Sequence, residues 1–121
     1  MSTSKKTLGN WGEQQAALFL ERRGYVILVR NYHTRGGELD IIARDGAGVL
    51  CFVEVKTRSY WYESAARATG YDKLTNLHFA ARHFLCTQNL SPDKTPIRFE
   101  QVSVYLDRVA KTAQLKLQVI V

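Results

Sequence analysis

The sequence predicts a single mixed α/β domain with elements in the order α-β-β-β-α-β-β, one central sheet with two helices that can cover its faces. Three observations predict it. Two stretches carry apolar residues at helical spacing, Asp45-Gly46-Ala47-Gly48 gives a hairpin signal between two apolar runs, and the C-terminal part alternates apolar and polar residues. A chain of 121 residues with 45% hydrophobic content suits one domain with one modest core.

Residues 1–9 are expected to be a flexible basic arm and 10–121 the domain. Asn10 can cap the first helix, because Glu13 three positions on completes a capping-box-like pair. That helix is expected to run to about Arg23, with Gly24 as its stop, and Trp11, Ala17, Leu18 and Leu20 as its apolar face. Glu13 falls on the inner edge. Tyr25 to Val29 then reads as a strand, Arg30 to Gly37 as a polar loop with two adjacent glycines, and Glu38 to Arg44 as a second strand.

The third strand, Val49 to Thr57, follows at once. Gly48 suits the left-handed position that closes a three-residue loop, and with that loop Asp45 pairs with Val49. Counting back along both strands then sets Asp40 opposite Glu54 on one face. A two-residue loop would instead pair Asp40 with Val53, and a bulge or bend would be needed to bring the two acids together. In a shifted register Glu38 could take the place of Asp40.

Residues 58–70 are aromatic, small and basic without a clear period and read as a mobile connection. The second helix is expected from about Tyr71 to Gln88, with Leu74, Leu77, Ala81, Phe84 and Leu85 on one face, ended by Ser91-Pro92 and Pro96. Two strands close the chain, about Ile97 to Leu106 and Ala113 to Val121, around a turn at Asp107-Arg108.

Seventeen Lys and Arg against eleven Asp and Glu give a net charge of +6, which favours polyanionic partners, nucleic acid first. No stretch reaches the length of a membrane span, and the first residues lack the apolar core of an export signal. Cys51 and Cys86 have no C-x-x-C spacing and read as small core residues of a reduced, cytoplasmic protein.

Val53-Glu54-Val55-Lys56 is the most informative stretch. The strand period of two places Glu54 and Lys56 side by side on one face, in a strand whose apolar flanks mark it as buried. Glu-x-Lys alone reads as a structural ion pair. Asp40 on the same face makes two carboxylates against one ammonium, and a cation restores the balance. Two carboxylates, the Val55 carbonyl and waters suit Mg²⁺, with Mn²⁺ as a substitute. Such a site is suited to phosphodiester hydrolysis, with Lys56 orienting the attacking water or acting as its base.

Gly12-Glu13, Gly24-Tyr25, Arg30-Asn31, Gly37-Glu38-Leu39-Asp40-Ile41-Ile42-Ala43 and Phe52-Val53-Glu54-Val55-Lys56-Thr57-Arg58 together resemble the YraN family of small bacterial proteins. The resemblance is strong over residues 9–58 and weaker at Lys73-Leu74, Ala80-Ala81 and Arg98-Phe99. That family is similar to archaeal Holliday junction resolvases and belongs to the restriction-endonuclease-like PD-(D/E)XK superfamily, which implies an α/β/α sandwich.

The resemblance implies that Asp40 and Glu54 bind the metal, that Lys56 is the catalytic lysine, and that Glu13 completes the acidic cluster. Its bland reading as a capping carboxylate stands beside that role. The resolvase relatives act as dimers, so a homodimer is also implied. Leu39 stands where the superfamily motif has proline, as is usual in this branch, and Glu100 follows Arg98-Phe99 where family members often have aspartate.

Arg30, Arg35, Arg44, Arg58 and Arg67 lie near the motif in sequence, Tyr60, Trp61 and Tyr62 can stack on bases, and Lys73 opens the second helix. Of these, Arg30, Arg35, Arg58, Tyr60 and Lys73 are the expected nucleic-acid contacts. His33, His78 and His83 receive no role. The leading expectation is a metal-dependent endonuclease acting on DNA, branched or structured DNA included. A catalytically silent nucleic-acid-binding protein with the same fold is the alternative, and an interaction subunit in which Glu54 and Lys56 form only an internal pair is the remoter one.

Overall fold

The structure, a computed structural model, describes the backbone of residues 5–59 and 71–120 and the side chains of 7–58 and 74–120. Its elements are α1 (Lys5–Arg22), β1 (Val26–His33), β2 (Glu38–Arg44), β3 (Leu50–Ser59), α2 (Tyr71–Thr87), β4 (Ile97–Asp107) and β5 (Thr112–Val119). The order is the expected one. The five strands form one sheet in the order β1-β2-β3-β4-β5. β3 and β4 are parallel and the other neighbours antiparallel, with α2 in the connection between the parallel pair.

The helices lie on opposite faces of this sheet. Ala16, Ala17 and Leu20 of α1 pack with Ile41, Ala43, Cys51, Val53, Val102 and Val104. Leu77, Ala80, Ala81, Phe84 and Leu85 of α2 pack with Ile42, Leu50, Phe52 and Phe99. β3 is therefore buried on both sides, with Leu50, Cys51, Phe52 and Val53 fully inside. Each large apolar side chain buried in this way contributes roughly 1.5–3 kcal/mol. Among the described residues, no helix is long and apolar enough to cross a membrane.

Helix α1 starts by Lys5, so Asn10 lies within it and caps nothing, and the expected arm loses residues 5–9. The cause is tertiary. Thr7, Leu8 and Trp11 line one cleft with Leu106, so an apolar face continues back from Leu20 through Ala16 and Gly12 to Leu8 at steps of four. Leu18, placed on that face by the sequence, is exposed instead. The stop is as expected. Gly24 has φ 89°, Tyr25 N–H donates to the Leu20 carbonyl and Gly24 N–H to that of Glu21, which is the Schellman pattern.

Helix α2 ends in the same way, one turn before the prolines. Asn89 takes φ 56°, with Leu90 N–H donating to the Leu85 carbonyl and Asn89 N–H to that of Cys86. Cys86 is exposed rather than buried, because it lies off the face that carries Leu77, Ala81 and Leu85. The polar stretch expected as a loop from Arg30 is mostly strand, since β1 pairs with β2 as far as His33↔Glu38. The turn proper is residues 34–37, closed by Thr34 N–H on the Gly37 carbonyl. Of the mobile connection expected over residues 58–70, Arg58 and Ser59 belong to β3, and residues 60–70 lie outside those described.

Candidate functional site

The β2–β3 hairpin sets the geometry. Asp45 N–H donates to the Val49 carbonyl, Gly48 N–H to the Asp45 carbonyl, and Gly48 has φ 89°, so the loop has three residues. Asp45 Oδ1 also accepts from the N–H groups of Ala47 and Val49. The register runs Arg44↔Leu50, Ala43↔Cys51, Ile42↔Phe52 and Ile41↔Val53, and there the ladder stops. The same count carried one step beyond the paired residues leads from Ile41 and Val53 to Asp40 and Glu54.

β2 bends at that step. Ile41 packs on the α1 side of the sheet and Leu39, two residues earlier, on the α2 side, although strand alternation would put both on one face. The neighbouring β1 makes the same change across Asn31, whose φ is 56°, and Tyr32 pairs with Leu39 on the α2 side. Asparagine tolerates this left-handed conformation better than most residues. At the bend Asp40 turns its carboxylate to β3, and Val55 N–H donates to its Oδ2 at 2.7 Å. The N–H and C=O of one strand residue point to the same edge, so the Val55 carbonyl also faces the gap that β2 has left.

Glu54 and Lys56 share the α2 side of β3, as the period of two requires, with Lys56 Nζ 3.6 Å from Glu54 Oε1. Glu54 is buried and Lys56 partly so. Across the parallel ladder Glu54 is level with Gln101 and Lys56 with Ser103. Both partners are buried, and Gln101 Nε2 donates to Ser103 Oγ at 3.2 Å. Sequence reading missed this polar pair. Its only signal is that Gln101 and Ser103 alternate with Val102 and Val104, which looks like an ordinary solvent-facing side.

Glu13 sits one residue after Gly12, where α1 touches β3 so closely that a Cβ on Gly12 would fall 1.9 Å from Thr57 Oγ1. Burial raises the Glu13 carboxyl above its usual range, Arg30 and His33 oppose that shift, and Glu38 adds to it. Its charged company is thus at the β1–β2 end, on the α1 side, while Glu54 and Lys56 face α2. The expected nucleic-acid contacts are spread out. Arg30 and Arg35 are exposed, and Arg58 is half-buried with its Nη1 on the Thr57 carbonyl. Arg44 lies at the loop end of the hairpin, away from Asp40, bonded to the Gly48 carbonyl. Tyr60, Trp61, Tyr62, Arg67 and the Lys73 side chain lie outside the described residues.

A second polar cluster occupies the α1 side at the other end of the sheet. Arg98 Nη2 donates to Asp45 Oδ2 at 2.7 Å and to Tyr25 Oη at 3.3 Å, and Arg98 Nε lies 3.5 Å from Glu100. The Tyr25 hydroxyl reaches both oxygens of Glu100. Burial, with the Glu100 carboxylate beside it, pushes the Tyr25 phenol up to about 12. Asp45 is held below the usual carboxylate range, chiefly by Arg98. This clamp ties the hairpin loop, the α1–β1 turn and β4 together, and explains Glu100 structurally.

The donors able to hold a metal are hard oxygens: the carboxylates of Asp40 and Glu54 and the Val55 carbonyl, a set that fits Mg²⁺. Among the described residues no three Asp, Glu, His or Cys side chains gather around a single point. Any ion there would complete its shell with water or substrate oxygens.

The model of the uncharacterised protein family UPF0102 matches residues 12–104, which takes in every residue of this site. The chain belongs to UPF0102. A UPF0102 protein of Desulforamulus reducens is 37% identical over 117 residues, 96% of this chain and 95% of the relative. Another, from Koribacter versatilis, is 46% identical over 105 residues, 83% of this chain and 69% of the relative. A third, from Clostridium botulinum, is 33% identical over 118 residues. UPF0102 is the family that the sequence motifs resemble under the name YraN.

Proposed function

We propose that this protein is a metal-dependent endonuclease that hydrolyses phosphodiester bonds of DNA, branched or structured DNA foremost. The observation that carries the reading is the Val55–Asp40 hydrogen bond set against the Glu54–Lys56 pair. It gathers two carboxylates, an ammonium and a strand-edge carbonyl where β2 leaves β3. Asp40, Glu54 and the Val55 carbonyl would hold Mg²⁺ or Mn²⁺, which when bound supplies a polarised phosphoryl oxygen and an acidified water. Lys56 orients the attacking water and offsets charge that develops on the phosphoryl oxygens. Glu13, whose charged neighbours are Arg30, Glu38 and His33 on the α1 side, is the acid that would complete the cluster. Arg30, Arg35, Arg58 and Lys73 hold the DNA backbone, and Tyr60 stacks on bases or sugars. Paired cuts on a branched substrate need two sites, so a homodimer in the cytoplasm belongs to this reading.

A second reading, DNA binding without turnover, is favoured by the 3.6 Å Lys56–Glu54 contact, since such a pair can persist as internal structure. Incubation of branched, single-stranded and linear duplex DNA with Mg²⁺ or Mn²⁺ separates the two. Cleavage is expected in the wild type and lost in Glu54→Ala and Lys56→Ala. Undiminished cleavage in both variants would refute the site, and salt-sensitive binding without cleavage in any protein would establish the second reading.

A further inference from the structure

The site does not end at Lys56. Strand register places three successive rows on the α2 side of β3, β4 and β5. Glu54, Gln101 and Gln118 form the first, Lys56, Ser103 and Lys116 the second, and Arg58, Tyr105 and Gln114 the third. Leu115 and Leu117 pack into the α1-side core, which fixes Gln114, Lys116 and Gln118 to the other face. Among the described residues, the α2 core takes Phe99 from β4 and, after it, only Ile120 beyond β5. The rows past Phe99 are polar; on β4 Gln101 and Ser103 are buried and Tyr105 is partly exposed, and on β5 the rows are exposed.

Their charge has one sign. Beyond Glu54 the second and third rows hold Lys56, Arg58 and Lys116 with neutral Ser103, Tyr105 and Gln114. The next acid on that face, Asp107, is engaged at Oδ1 by the N–H groups of Val109 and Ala110. Lys56 and Lys116 stand two strand spacings apart, about 10 Å. Such a basic, hydrogen-bonding row beginning at a hydrolytic lysine matches a chain of phosphodiesters better than a compact anion.

We infer that a DNA strand leaving the site runs over Arg58 and Tyr105, past the buried Gln101 and Ser103, onto the α2 side of β5, with Arg58 and Lys116 on its phosphates and Tyr105, Gln114 and Gln118 beneath its sugars and bases. The inference rests on the proposed action on DNA and adds the direction in which the strand runs. β5 thereby becomes part of the binding surface, which no sequence motif suggests.

The test compares two substitutions that change the net charge equally. Lys116→Glu alters the row, whereas Lys94→Glu alters an exposed lysine in the turn after α2. Binding of a fluorescent single-stranded DNA is measured against salt in the Glu54→Gln background, so that cleavage does not interfere. Lys116→Glu is expected to weaken binding at least about tenfold and to lower the salt slope by about one, with Lys94→Glu changing affinity less than about threefold. Equal losses in both variants, or none in Lys116→Glu, would overturn the track. Failure of the nuclease reading is distinct, because it would show as absent cleavage by wild type while the contrast between Lys116 and Lys94 persists.

Discussion

The backbone N–H of Val55 donates to Asp40 Oδ2 at 2.7 Å, in the place where the Leu39 carbonyl would stand had the β2–β3 ladder run on. The carboxylate thus both ends the ladder and fixes the site. Asp40→Ala removes a charged acceptor and is expected to lower stability by roughly 1.5–3 kcal/mol. Asp40→Asn keeps a neutral acceptor and should lose about half as much. Urea denaturation checks both, and wild-type stability in Asp40→Ala would show that another acceptor can replace the carboxylate.

The double glycine before β2 makes a sharper steric prediction. A Cβ on Gly37 would lie 2.2 Å from the Asn76 carbonyl oxygen of α2, whereas one on Gly36 would meet the ring of Phe79 at 2.7 Å. Backbone cannot step aside, but Phe79 is half-exposed and can turn away. Gly37→Ala is therefore expected to cost about 1–3 kcal/mol, and Gly36→Ala under about 1. Thermal unfolding of the two variants decides it, and the reverse order would contradict the packing described.

What the sequence revealed about this site was local. Gly48 and Asp45 specify their turn through short-range chemistry, and the period of two ties Glu54 to Lys56 whatever the rest of the chain does. What it concealed depends on distant partners. Gln101 and Ser103 join the site only through the parallel register of β3 and β4, which a long connection separates in sequence. Helix α1 begins before Asn10, where Leu8 and Trp11 line a cleft with Leu106, a neighbourhood that no capping rule contains. The change of face at Asn31 looks like loop polarity until β1 is seen to pair through it.

The clamp at Arg98 predicts a pH dependence. Arg98 depresses the folded-state pKa of Asp45, with the Val49 N–H helping. Stabilisation from this group is thus fully present above the ordinary carboxylate pKa of about 3.9 and is lost as pH falls through the lower folded value. Asp45→Asn is expected to lower Tm at pH 7, and the gap to wild type should close in strong acid. A gap independent of pH would assign the effect to shape rather than charge.

The cysteines offer a check on the core. Burial and the adjoining Glu100 carboxylate push the Cys51 thiol up to about 12, while Cys86 is exposed. A thiol reagent at pH 8 should modify Cys86 rapidly in the native protein and Cys51 only after unfolding. Cys86→Ser should then be inert until denatured. Rapid native labelling of that variant would mean that β3 opens far more readily than its burial implies.

Lys56 separates the metal site from the bare ion pair. Its ammonium lies 3.6 Å from the Glu54 carboxylate, whose side chain is only 4% exposed, against 20% for Lys56. Lys56→Met deprives a buried charge of its nearby cation. Because Lys56 keeps some contact with water, the loss should be on the order of 2 kcal/mol, below the roughly 3–5 of fully buried pairs. The divalent cation then decides between the readings. Under the metal reading, millimolar Mg²⁺ should restore much of the lost stability in Lys56→Met and none in Lys56→Met with Asp40→Asn and Glu54→Gln, since only an ion bound by the native state shifts unfolding. If Mg²⁺ leaves the midpoint of Lys56→Met unchanged, Glu54 and Lys56 are an internal pair and the cation has no place in the protein.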